Sequence, residues 1–126
     1  MSDLNELYQQ VILDHYKRPR NFHKLPDANR TAAGNNPLCG DEVNVQLSIE
    51  NNIIKDVKYN GSACMVSIVS SSLISDFIKG KTINEVQKIS QDDVLNIIGI
   101  NLTTSRIKCA TLVLDALLEA VKNYNS

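Results

Sequence analysis

The chain has 126 residues, of which 43% are hydrophobic and 21% charged, with a formal net charge of −1. That composition suits a single domain with a core, spanning 1–126, and excludes a disordered chain. No basic excess fits a nucleic-acid partner, no apolar run nears the roughly 18 residues of a membrane span, and an odd set of three cysteines argues against a disulfide framework.

The opening Met1-Ser2-Asp3-Leu4-Asn5-Glu6 is acidic and polar, unlike a secretory signal. The expectation is a cytoplasmic protein with reduced thiols. Leu4, Leu7, Tyr8, Val11 and His15 recur at helical spacing, so the first element is an amphipathic helix. Lys17 and Arg18 suit its C-terminal dipole, His15 is welcome there as a cation, and Pro19 stops it. Residues 20–38 show no period and contain Pro26, Gly34 and Pro37, which reads as a long loop.

Val43, Val45, Leu47 and Ile49 alternate with Asn44, Gln46 and Ser48, the pattern of a half-buried strand. Glu50-Asn51-Asn52 is a turn, and a second strand from Ile53 to Asn60 closes an antiparallel hairpin, ended by Gly61. Met65, Ile68, Val69, Ser72, Leu73 and Phe77 mark a helix stopped at Gly80, rich in small serines that permit close packing. Thr82 with Glu85 forms a capping box, Ser90 with Asp93 resembles another, and Gly99 suits a helix end. Ser105 is placed to cap the last helix, whose apolar face is Ile107, Ala110, Leu114, Leu118 and Val121. The order implies an α+β fold: a small antiparallel sheet of about three strands with helices mainly on one face.

Cys39, Cys64 and Cys109 lie far apart in sequence, each in a dense local setting. Cys64 falls where a strand meets a helix, and Cys109 falls in the first turn of the last helix. Unpaired backbone N–H groups and the helix dipole stabilise a thiolate there, and Arg106 and Lys108 add positive charge beside Cys109. In an extended segment Cys39 and Asp41 point to one side, with Gly40 free to bend between them. Three thiols and a carboxylate can hold zinc or an iron–sulfur cluster, or receive sulfur. Taken singly, each cysteine reads equally well as a small buried apolar side chain, and Asp41 as a turn residue. The spacings match no short zinc signature. His23 reads as a solvated loop residue or a metal ligand, and a Cys–His hydrolase finds no other support.

Leu7-Tyr8, Asp14-His15-Tyr16 and Pro19-Arg20-Asn21, then Asn36-Pro37-Leu38-Cys39-Gly40-Asp41, resemble the iron–sulfur cluster assembly scaffolds of the IscU, SufU and NifU N-terminal type. So do Ala63-Cys64 with Ser67 and Ser70-Ser71-Ser72, Lys79-Gly80-Lys81, and Arg106-Ile107-Lys108-Cys109-Ala110. The likeness runs nearly end to end and in order. It implies a SufE/NifU-like fold with Cys39, Asp41, Cys64 and Cys109 together at one end as ligands. It also implies sulfur received from a cysteine desulfurase, a transient [2Fe–2S] cluster built on those residues and passed to apo-proteins, and zinc or iron at the same site. The first persulfide acceptor would be Cys109, with Cys39 its rival. The chain departs from the IscU type at Lys108, where that type carries histidine, and from the SufU type in lacking an insertion between Thr82 and Ser105. Leu102-Thr103-Thr104-Ser105-Arg106 replaces a proline-containing chaperone motif, so a dedicated Hsp70 chaperone is not implied. Ala63 stands where glycine is common. A carrier scaffold, a zinc-dependent sulfurtransferase and a structural zinc domain all remain open at this level.

Overall fold

The computed structural model describes residues 2–36, 40–99, 102 and 104–122. Helix α1 (Ser2–Lys17) is followed by strands β1 (Arg30–Asn36), β2 (Asp41–Glu50) and β3 (Ile53–Ser62). Helices α2 (Met65–Ile78), α3 (Ile83–Gln87), α4 (Gln91–Ile98) and α5 (Thr104–Val121) complete the order. The strands form one antiparallel sheet in the order β1-β2-β3. This is the α+β architecture expected from the pattern.

The period-2 pattern of β2 does what it should. Val43, Val45, Leu47 and Ile49 are all buried, and Asn44, Gln46 and Ser48 lie on the other face. Asn51 and Asn52 both adopt positive φ, 53° and 63°, which gives the two-residue turn whose twist matches the hairpin. The sheet's apolar face joins Ile74, Ile78, Ala110, Leu114 and Leu117 from α2 and α5 in one core.

Strand β1 lies within the stretch read as a loop. Its residues, Arg30-Thr31-Ala32-Ala33-Gly34-Asn35-Asn36, carry no large apolar side chain, so the alternation is invisible to a hydrophobic count. The cause is α5, which packs against this strand. A Cβ on Gly34 would sit 3.0 Å from the Leu112 carbonyl oxygen, so only small residues fit. Gly61 does not end β3, which runs to Ser62. It has φ of 138°, and a Cβ there would meet the Glu42 carbonyl oxygen at 2.1 Å. The close approach of β2 and β3 at that point demands glycine.

Both capping boxes are present, Thr82 with Glu85 and Ser90 with Asp93, and Gly99 closes α4 in the left-handed conformation. Helix α5 begins at Thr104, so Ser105 lies inside it rather than ahead of it. Of the expected α1 face, the side chains of Leu4, Leu7 and Tyr8 lie outside the described residues. Val11 is exposed, while His15 faces inward.

His15 has a structural role, as expected, but through a long-range hydrogen bond rather than as a cation at the helix end. Its Nδ1 lies 2.7 Å from Ser72 Oγ, and burial together with the nearby Arg20 charge pushes its pKa down. Ser72 Oγ also accepts the Arg20 N–H at 2.8 Å, so the loop after α1 is pinned to α2. Among the described residues, no helix is long and apolar enough to cross a membrane.

Candidate metal centre

Three of the four residues singled out as ligands fall among the described residues, and three different elements deliver them to one place. Asp41 opens β2, directly across from Asn36 of β1. Cys64 is the N-cap of α2, with φ −71° and ψ 170°. Cys109 is the sixth residue of α5. The carboxylate and the two thiols bring one ligand atom each to within 4.8 Å of one another. Cys39 lies outside the described residues, in the short connection between β1 and β2.

Backbone geometry explains the convergence. Gly40 has φ of 71°, so the β1–β2 connection turns tightly just before Asp41. Asp41 Oδ1 then accepts the backbone N–H of Cys64 at 3.0 Å. That N–H precedes the first turn of α2, whose opening amides are without helical partners and whose dipole is positive. Asp41 Oδ2 accepts from the Ser67 hydroxyl at 2.9 Å. Burial opposes ionisation of Asp41. Hydrogen bonds from the Cys64 thiol, the Ser67 hydroxyl, the Cys64 backbone and the Cys109 thiol outweigh it and hold the carboxyl below its ordinary range. The acid is therefore a carboxylate at neutral pH.

The two thiols differ in access. Cys64 is half-buried, whereas Cys109 has no exposed surface. Cys109 accepts a long contact of 3.8 Å from Asn36 Nδ2. Its place in the second turn of α5 removes one reason for expecting it as the leading sulfur acceptor, since the free amides of the helix start lie a turn earlier. Arg106 and Lys108 are both exposed, on the solvent side of the same helix. His23 is exposed and stands apart from the ligand group.

Two participants escaped the sequence reading as site residues. Ser67 sits at the third position of the helix that Cys64 caps, a spacing that could have flagged it. Asn36 was hidden because β1 was read as loop, so its pairing with Asp41 had no sequence signal.

The donor set fits a soft or borderline cation. Two thiolates and a carboxylate, each near the others, match the sulfur-rich tetrahedral preference of zinc and leave a position for a further thiolate such as Cys39. Fewer than four thiolates and one hard oxygen also give a weak hold on an iron–sulfur cluster.

Comparison with known proteins agrees with this chemistry. The family described as "NifU-like N terminal domain" matches residues 7–126. An iron–sulfur cluster assembly scaffold protein IscU of Archaeoglobus fulgidus is 35% identical over 118 residues, covering 94% of this chain and 76% of the relative. The zinc-dependent sulfurtransferase SufU of Bacillus subtilis is 36% identical, covering 95% of this chain and 92% of its own. Among solved structures, an iron–sulfur cluster assembly scaffold described for the SUF system of Fervidobacterium islandicum superposes with a TM-score of 0.77 at 26% identity. It covers 90% of this chain and 95% of that one. A NifU-like N-terminal protein of Brucella abortus shares the fold, with a TM-score of 0.79 at 18% identity and 94% coverage of each chain.

Proposed function

The chain belongs to the NifU-like N-terminal domain family, alongside relatives of the IscU and SufU kinds, and on that premise we propose that it is a cytoplasmic scaffold for iron–sulfur cluster assembly. In this reading the single domain 1–126 receives sulfur from a cysteine desulfurase. It assembles a labile [2Fe–2S] cluster on Cys39, Asp41, Cys64 and Cys109 and passes it to apo-proteins. It is a carrier rather than a turnover enzyme. The observation that carries the reading is the meeting of Asp41, Cys64 and Cys109 within 4.8 Å from three separate elements.

The chain's own residues have distinct parts in this chemistry. Asp41 supplies the hard, exchangeable ligand, already oriented by two hydrogen bonds. Cys64 is the accessible thiol of the described pair, placed at the N-cap of α2. Cys109 is buried, which supports a role as ligand and turns the choice of first persulfide acceptor toward Cys39. In that transfer the Cys39 thiolate attacks the sulfane sulfur of the desulfurase persulfide, and the desulfurase thiolate leaves. Exposed Arg106 and Lys108 present positive charge beside the site to an anionic donor.

The test is anaerobic reconstitution with the cognate desulfurase, cysteine and iron. The reading expects visible [2Fe–2S] absorbance, lost when Cys39, Cys64 or Cys109 is replaced by serine. A second reading, a zinc-dependent sulfurtransferase, is favoured by the donor set and by Lys108 in place of histidine. It would give a zinc form that stimulates the desulfurase with no cluster formed. Metal removal that only unfolds the protein, with no sulfur accepted, would leave a structural zinc domain.

A further inference from the structure

Ser67 is 1% exposed and sits one turn into α2 from Cys64. Its hydroxyl oxygen is 2.9 Å from Asp41 Oδ2, 2.9 Å from the Cys109 carbonyl oxygen and 3.7 Å from Cys64 Sγ. A single atom thus touches three members of the ligand set, drawn from β2, α2 and α5. A hydroxyl carries one proton, so it serves one of the two oxygen acceptors at a time, while the Cys64 thiol can donate to it weakly. A hydrogen bond to an ionised carboxylate is roughly twice as strong as one to a neutral carbonyl, so the proton faces Asp41 while that charge is free.

Ser70 is the natural control. It lies on the same helix, is equally buried, and donates to the neighbouring carbonyl of Ala110 on the same partner helix. Both serines therefore tie α2 to α5. Of the two, Ser67 is the one that also bonds Asp41.

We propose that Ser67 is the positioning residue of this centre: its hydroxyl holds Asp41 Oδ2 so that the carboxylate faces the two thiols, in the free and in the cation-loaded site alike. The assignment rests on the reading of Asp41, Cys64 and Cys109 as ligands.

The experiment uses Co(II) as the probe, with affinity from chelator competition and ligand geometry from the visible ligand-field bands. S67A should weaken Co(II) binding roughly 10–100-fold and alter those bands, the usual cost of removing an outer-shell partner of a ligand. S70A should lower thermal stability while leaving Co(II) affinity and bands unchanged. In a D41A background the S67A change should cost nothing further, because the serine acts through the acid. An S67A protein that binds Co(II) as the wild type does overturns the proposal. So does an equal loss with and without Asp41, or an S70A loss as large as that of S67A. Should S67A fold poorly, the isosteric pair S67T and S67V differ only in the hydroxyl, and the threonine form should bind roughly tenfold more tightly. Equal binding by the pair overturns the proposal. A wild-type chain that takes up no Co(II) defeats the metal-centre reading itself, whereas S67A matching a wild type that does bind defeats only the role of Ser67.

Discussion

Serine hydroxyls anchor both ends of α2, but the two ends are wired differently. Toward the C-terminal end each donor has its own acceptor. Ser72 Oγ bonds the His15 ring and accepts the Arg20 N–H, and Ser75 Oγ donates to the Ser72 carbonyl while accepting from Asn21 Nδ2. The second hydrogen of that amide goes to Asp76, and the amide oxygen accepts from Lys79. This end is a closed joint that fixes the loop after α1 to the sheet and helix. At the N-terminal end, by contrast, one hydroxyl proton faces two oxygens at the same 2.9 Å distance, next to a half-buried thiol and an ionised acid. The ligand-end hydroxyl thus has two oxygen acceptors within reach, of which the carboxylate is the stronger.

Changes at the two ends should separate binding from stability. The largest effect is expected from C64S or C109S, which should weaken Co(II) on the order of 100-fold or more, given how much of the folding energy of a thiolate site comes from each ligand. Chelator competition measures this, and C109S should also lower thermal stability because its site is fully buried. Next comes a glycine pair. G61A forces a Cβ to 2.1 Å from the Glu42 carbonyl oxygen and should cost about 3–4 kcal/mol in denaturant unfolding. G80A, with φ of 84° and open space around it, should cost only about 1 kcal/mol. G61A should also reduce Co(II) affinity, since it displaces the strand that leads to Cys64, while G80A should not. S72A would strip a partner from His15 and from the Arg20 N–H, a loss of about 1–3 kcal/mol of stability with Co(II) affinity intact.

The smallest effect concerns pH. Burial, aided by Arg20, puts the folded pKa of His15 below its ordinary 6.5, against the weaker pull of Asp14 and Asp76. The unfolded chain then binds the proton more readily, so stability is complete above pH 6.5 and declines as pH falls below it. H15Q should flatten that part of the stability profile. Asp41 acts further down. Its folded pKa lies below 3.8, so its contribution is present above that value and lost as pH falls through the folded pKa. Urea midpoints collected across pH check both, and H15Q should leave the Asp41 portion in place.

Elements built on apolar alternation or cap chemistry could be read before any coordinates. Strands β2 and β3, the Asn51-Asn52 turn and both capping boxes follow from local rules. The cysteines and Asp41 were legible as a set from their dense local settings and from the family resemblance that runs through them. What escaped depended on distant packing. Strand β1 hid because it carries no large apolar side chain, and at Gly34 the close approach of α5 leaves no room for one. Cys109 was placed a turn too early because α5 starts at Thr104, ahead of the serine expected to cap it, although its burial was one of the two readings open to it. A structural role for His15 was legible, but its partner was not, because Ser72 lies 57 residues away.

The central claim is that thiols from separate elements and the Asp41 carboxylate share one cation. Zinc K-edge X-ray absorption on protein loaded with a single equivalent of zinc tests it most directly. The account predicts three sulfur neighbours at about 2.3 Å and one oxygen at about 2.0–2.2 Å. A shell of nitrogen and oxygen alone, or one that is unchanged when Cys64 or Cys109 is replaced by serine, would contradict it.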